Sequence, residues 1–222
     1  MIVTIDGPAG AGKSTVAKAL AKRLDFRYLD TGAMYRAVTW LAVEQSVDPT
    51  SKDEVAKVAS EMKLEFSADR VLVNGQDVTE SIRTKEVTRH VSEIADNTEV
   101  RKYLVEWQRR IAADGDYVCE GRDQATVAFP SAACKIFLTA SAEVRARRRY
   151  EQLAANGVDT SFEEVLQDQN DRDQRDSERE VGRLMRAEDA VEVNTDGLTL
   201  EQVVDRLARI VKQKTSSSSE PQ

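Results

Sequence analysis

MIVTIDGPAGAGKSTVAKALAKRL, residues 1–24, decides the fold. Ile2 to Asp6 is an apolar run of buried-strand length, and the apolar residues of STVAKALAKRL recur at helical spacing. Between them lies GPAGAGKS, residues 7 to 14, with two glycines five apart followed by Lys13 and Ser14, the pattern of a phosphate-binding loop, or P-loop. Ordinary glycine usage would produce those fixed positions somewhere in a chain of this length with a chance of about one per cent or less, and a strand before with a helix after lowers it further. A triphosphate has to be solvated by something other than water. Glycines let the main chain bend and bring N–H groups onto the oxygens, and the helix points its positive end at them. Gly7, Pro8, Ala9, Gly10, Ala11, Gly12, Lys13, Ser14 and Thr15 are therefore the expected ATP-binding segment, with Lys13 reaching the β and γ groups and the Ser14 hydroxyl ligating Mg²⁺.

Outward from this loop, short strands alternate with helices, as in an α/β fold. Tyr28-Leu29 leads into the helical DTGAMYRAVTWLAVEQ, and Ser51 with Glu54 marks a capping box. Leu64 to Ile82 reads differently, as short β runs split at Ala68-Asp69 and at an Asn74-Gly75 turn, so a small β insertion is expected. Helical pattern returns from Thr84 to about Ala113, followed by two strands, YVCEG and CKIFLT. An Arg-rich helix spans Ala142 to Ala155, and Ser161 with Glu164 caps another that enters QDQNDRDQRDSERE, a stretch too polar to bury a face. AVEVNT is a last strand, Thr199 with Gln202 caps a helix through Val211, and 215–222 reads as a disordered tail.

The 222 residues suit one substantial domain. A net charge of −7 argues against a nucleic acid polymer as partner, so any anionic ligand must be held by local positive charge. Nowhere do eighteen apolar residues run together, which argues against membrane insertion. Cys119 and Cys134 read as small buried residues, and His90, the one histidine, as surface; a Ser-His-Asp triad and a multi-histidine zinc site are excluded. A cytoplasmic monomer is the expectation.

The P-loop leaves the phosphoryl acceptor open. Arg172, Arg175 and Arg179 repeat at three and four, which puts them on one side of a helix together with Asp176. That pattern also describes a solvated salt-bridge face. From Ile136 to Val211, however, there are eleven arginines and no lysine, and only arginine offers a planar fork matching phosphate oxygens. Three segments, DTGAMYR (30–36), EGRDQATVAFP (120–130) and RDQRDSER (172–179), taken with GPAGAGKST, resemble the bacterial cytidylate kinase family in order and interval across nearly the whole chain.

The resemblance implies a three-layer P-loop NTPase fold with a central parallel sheet, a monophosphate-binding insertion at about 62–95 and a helical lid at about 157–186. It implies transfer of the γ-phosphoryl of ATP to CMP or dCMP, with Mg²⁺. Thr31, Arg36, Ser92, Arg101, Arg122 and Asp123 would surround the acceptor, with Arg172 and Asp176 contributing from the lid. Arg122, Arg172 and Arg179 would join Lys13 as catalytic groups, and Glu120 would orient Mg²⁺ through water. The acceptor oxygen is already anionic at neutral pH, so no general base is needed and one histidine is no obstacle. Two positions depart from the family pattern, Ala125 in place of glycine and Arg183 near a usual proline. Another small-molecule acceptor (UMP, dTMP, shikimate or a coenzyme precursor) is the nearest alternative, and a non-catalytic nucleotide-dependent switch a more distant one.

Overall fold

The computed structural model describes residues 1–67 and 70–217. In chain order the elements are β1 (Ile2–Asp6), α1 (Lys13–Leu24), β2 (Arg27–Asp30), α2 (Thr31–Glu44), α3 (Lys52–Glu61), β3 (Leu64–Ser67), β4 (Arg70–Val73), β5 (Gln76–Asp77), α4 (Lys85–Asp96), α5 (Thr98–Ile111), β6 (Tyr117–Gly121), β7 (Cys134–Thr139), α6 (Ala142–Ala155), α7 (Phe162–Glu178), β8 (Val191–Asn194) and α8 (Leu200–Ser217). A 3-10 turn occupies Ser81–Arg83 and a π-helical turn Gln124–Ala128. The chain forms two compact units, Met1–Leu29 with Ala112–Gln222, and Asp30–Ile111.

The first unit is built on a five-stranded sheet in the order β2-β6-β1-β7-β8. β1 runs parallel to both β6 and β7, and β7 parallel to β8. Successive side chains leave a strand on opposite faces. Val3 and Ile5 accordingly join Val118, Ile136, Leu138 and Val193 in a core closed by Val16 and Leu20 of α1 and Val203 and Leu207 of α8. Thr4, Asp6 and Phe137 alternate with these residues, and Phe137 packs against Ala125, Ala187 and Ala190. The sheet is thus covered on both faces. Because β1 lies between β6 and β7, its carboxyl end sits where the strand order reverses, the place at which open α/β sheets bind ligands.

The second unit carries an antiparallel sheet, β3-β4-β5. Asn74 (φ 51°) and Gly75 (φ 82°) turn β4 into β5, both in the left-handed conformation that a two-residue hairpin demands. The break expected at Ala68-Asp69 lies outside the described residues. Asn97 joins α4 to α5: its side chain accepts from the Glu99 and Val100 amides at 3.1 and 3.2 Å and donates to the Lys52 carbonyl at 2.8 Å. This unit takes in α2, α3 and α5 as well as the stretch 62–95 read as an insertion.

Three local expectations are corrected. Ser51 is the N-cap of α3 but its side chain makes no capping bond; Asp53 and Glu54 complement the positive end of the helix by charge instead. The polar run in α7 does bury a face, through Gln169 and Asp176, because ion pairing and hydrogen bonding replace apolar contact there. Finally, α8 passes Val211 and continues to Ser217, so 215–217 are helical, while the rest of the expected tail, 218–222, lies outside the described residues. The capping boxes at Ser161/Glu164 and Thr199/Gln202 both form.

Candidate functional site

Gly7 (φ 150°), Gly10 (φ 76°) and Gly12 (φ 87°) all have positive φ, so the P-loop backbone takes a path that L side chains rarely follow. Gly7 is also pressed onto β7: a Cβ there would lie 2.1 Å from the Leu138 carbonyl oxygen. Helix α1 starts at Gly12 with no side-chain cap and no acidic residue in its first turn. Its first N–H groups and its dipole are therefore left to an anion. Ser14 and Thr15 are exposed at this opening, whereas Lys13 is buried and donates from Nζ to the Pro8 carbonyl at 2.8 Å. Burial, together with the positive fields of Arg122 and Arg172, pulls the Lys13 ammonium down to about 7, against the opposing fields of Glu120 and Asp6.

Beside the loop, the penultimate residue of β6 is Glu120, which is buried and accepts from the Tyr28 hydroxyl at 2.8 Å. Arg122 and Asp123 follow. The Arg122 Nε donates to Asp176 Oδ2 at 2.8 Å, and the Arg179 Nη2 to Asp176 Oδ1 at 3.0 Å. Burial alone would raise the Asp176 carboxyl, but Arg122 above all, with Arg179 and Arg172, holds it below the usual carboxylate range. Asp176 thus binds two of the expected catalytic arginines to one another. Arg179 lies just past the end of α7, as its C-cap residue, and not within the helix. Arg175, the middle member of the repeat, is exposed and donates to the Asp171 carbonyl.

Ala125 lies in the π-helical turn and is not among the residues with positive φ, so alanine in place of the family's glycine introduces no strain there. Exposed Arg183 gives the other departure no structural consequence that we can identify.

The expected acceptor residues divide between the units. Arg122, Asp123, Arg172 and Asp176 stand in the first unit: the charges of Arg122 and Arg172 are felt at both Lys13 and Asp176, and that of Asp123 at Asp6. Thr31, Arg36, Ser92 and Arg101 belong to the second. There Thr31 opens α2 and is buried, while the Arg36 Nη1 donates to Thr88 Oγ1 at 2.9 Å and to the Ile82 carbonyl at 3.2 Å. Arg101 is buried, donates to the Ala95 carbonyl at 3.0 Å and lies over the Tyr35 ring at 5.4 Å, and Ser92 is half-buried on α4.

Sequence reasoning missed three participants. Asp6 is buried at the end of β1 and takes part in the field at Lys13. Arg145, also buried, donates to the carbonyls of Ala9 and Ala140 at 2.9 and 3.1 Å and pairs with Asp173 of α7, so it ties the loop to that helix. Arg148 bonds both the hydroxyl and the carbonyl of Thr195, at 3.1 and 3.2 Å, and with Val16, Leu198 and Val203 lines a cavity of about 250 Å³ against Ala11, Gly12 and Thr15. The available signal was the Arg-rich run of α6, read only as a composition bias. Among the described residues no cluster of three or more His, Cys, Asp and Glu could hold a metal ion.

A family model described as cytidylate kinase matches residues 3–213. The chain is 48% identical over 219 residues to the cytidylate kinase of Rhodopirellula baltica, covering 99% of this chain and 96% of that one. It is 48% identical over 218 residues to the cytidylate kinase of Carboxydothermus hydrogenoformans, covering 96% and 98%. In fold it is similar to the crystal structure of a gluconokinase from Sinorhizobium meliloti 1021, at a TM-score of 0.51 and 15% identity, over 98% of this chain and 97% of that chain.

Proposed function

The chain belongs to the cytidylate kinase family, and from that premise we propose that it transfers the γ-phosphoryl of ATP to CMP and dCMP, giving ADP with CDP or dCDP. The observation that carries the reading is the gathering of Arg122, Arg172 and Glu120 around Lys13 at the uncapped start of α1. Such a site accepts several phosphate charges in close succession, as a donor triphosphate and an acceptor monophosphate require.

In this proposal the amides of Gly7 to Thr15 receive the triphosphate, and the 250 Å³ cavity takes the donor's base, with apolar walls from Val16 and Val203 and polar edges from Arg148 and Thr195. Incoming phosphate draws the Lys13 ammonium away from the Pro8 carbonyl and restores its proton. The exposed Ser14 hydroxyl and the Glu120 carboxylate are hard oxygen donors that fit Mg²⁺. Bound there with ATP, the ion supplies charge neutralisation of the β and γ groups. Arg122 and Arg179 exchange Asp176 for phosphoryl oxygens, and their guanidinium charge, with that of Arg172, stabilises the group in flight. Thr31, Arg36, Ser92 and Arg101 bind the acceptor, with Ser92 and Arg101 reading the base.

An ADP-coupled assay with CMP, dCMP, UMP, dTMP and AMP tests this directly. CMP and dCMP are expected to give turnover at least tenfold above the others, in keeping with a site that hydrogen-bonds its base. ATP consumption that is indifferent to any monophosphate would overturn it.

A further inference from the structure

Asp6 is the last residue of β1 and adjoins the P-loop, yet its carboxyl makes no bond to that loop. Oδ1 accepts from the amide of Gln124 and Oδ2 from the amide of Ala125, both at 2.8 Å. These are two consecutive donors in the first turn after Arg122 and Asp123. The geometry is fixed from both ends. Alternation along β1 aims Asp6 away from the Val3 and Ile5 side, toward the face where Ala125 packs on Phe137. Gly7, directly after it, packs so closely on the Leu138 carbonyl that a Cβ would not fit. Asp6 itself is 1% exposed.

We propose that Asp6 is a positioning residue for phosphoryl transfer: it fixes the backbone that carries Arg122 and Asp123 to the strand that carries the P-loop. The inference rests on the kinase reading above. A carboxyl is suited to the task because it presents a separate oxygen to each of the two amides, whereas the amide side chain of the same length would turn an NH₂ toward one of them. Lost registry between two sets of catalytic groups is costly, since a misplacement of about 1 Å can lower rate by roughly a hundredfold.

The test is the nearly isosteric Asp6→Asn, whose amide turns a donor toward one of the two N–H groups. Kinetics use whichever monophosphate the unaltered chain turns over, so failure of the CMP reading shows up in the unaltered protein and is not mistaken for failure of this one. The expected result is a fall in kcat/KM for the acceptor of about thirtyfold, shared between a raised acceptor KM and a lowered kcat, with the ATP KM within about threefold of its original value. A lowered melting temperature with unchanged kinetic constants would mean a purely structural role and overturn the proposal. So would an effect confined to the ATP KM, the mark of Asp6 acting by charge on Lys13. Should Asp6→Asn not fold, Ala125→Pro, which deletes one donor and leaves the charge, is read against the same outcomes.

Discussion

Two residues at opposite ends of the P-loop, Gly7 and Lys13, make different demands on the chain. At Gly7 the constraint is space: Gly7→Ala would drive a methyl group into the Leu138 carbonyl at a positive φ, and the expected loss exceeds about 4 kcal/mol, the range reserved for severe clashes, as read by urea denaturation. At Lys13 the constraint is charge. Free Lys13 titrates at about 7 because it is buried beside Arg122 and Arg172, and bound phosphates would restore its ordinary, higher value. Binding of ATP at pH 8 should therefore take up a proton, and affinity should weaken as pH rises above 7, by up to roughly tenfold per pH unit. Calorimetry in two buffers of different ionisation enthalpy checks this: equal heats would refute it, and Lys13→Met should abolish the uptake. The same variant should lose about a hundredfold or more in kcat.

Helix α7 shows how an element can be polar throughout and still be held in place. Asp176 is buried between Arg122 and Arg179, so Asp176→Asn would remove the carboxylate that the two guanidinium groups share, at a cost of about 3–5 kcal/mol. The pH dependence follows from the direction of its shift. A carboxyl lowered in the folded state contributes stability above its unfolded value of 3.8 and loses it as pH falls through the lower folded value, so the melting-temperature gap between the unaltered protein and the variant should close in acid. On α4 and α5, Ser92→Ala and Arg101→Ala should alter the relative turnover of CMP, UMP and AMP; unchanged ratios would remove both from base reading. The helical repeat at 172, 175 and 179 was legible in the sequence. That Arg179 lies past the helix end, and that Asp176 is the partner shared with Arg122, was not, because 54 residues separate that ion pair along the chain.

At the scale of the molecule, the strand–loop–helix start, the β hairpin and the core strands β1, β6, β7 and β8 could be read from local pattern, since buried strands and left-handed turns leave their marks within a few residues, whereas edge strand β2 showed only as the apolar pair Tyr28-Leu29. What could not be read depends on topology: the order β2-β6-β1-β7-β8 brings Asp6 beside the 124–125 backbone, and α6 folds back to place Arg145 on Ala9 and Arg148 on Thr195. No described helix is long and apolar enough to cross a membrane. With a net charge of −7 and a pI near 5.0, solubility in polyethylene glycol should pass through a minimum near pH 5.0 and recover above it, as self-repulsion returns. The two cysteines are buried within the sheet, and burial pushes the Cys119 thiol up to about 12 and the Cys134 thiol up to about 11. Neither offers a thiolate to a maleimide at neutral pH. A single cysteine introduced on the exposed side of α7, as in Ser177→Cys, can therefore carry a fluorophore site-selectively with both native thiols left in place, so that any movement of that helix during turnover can be followed in an otherwise unaltered chain.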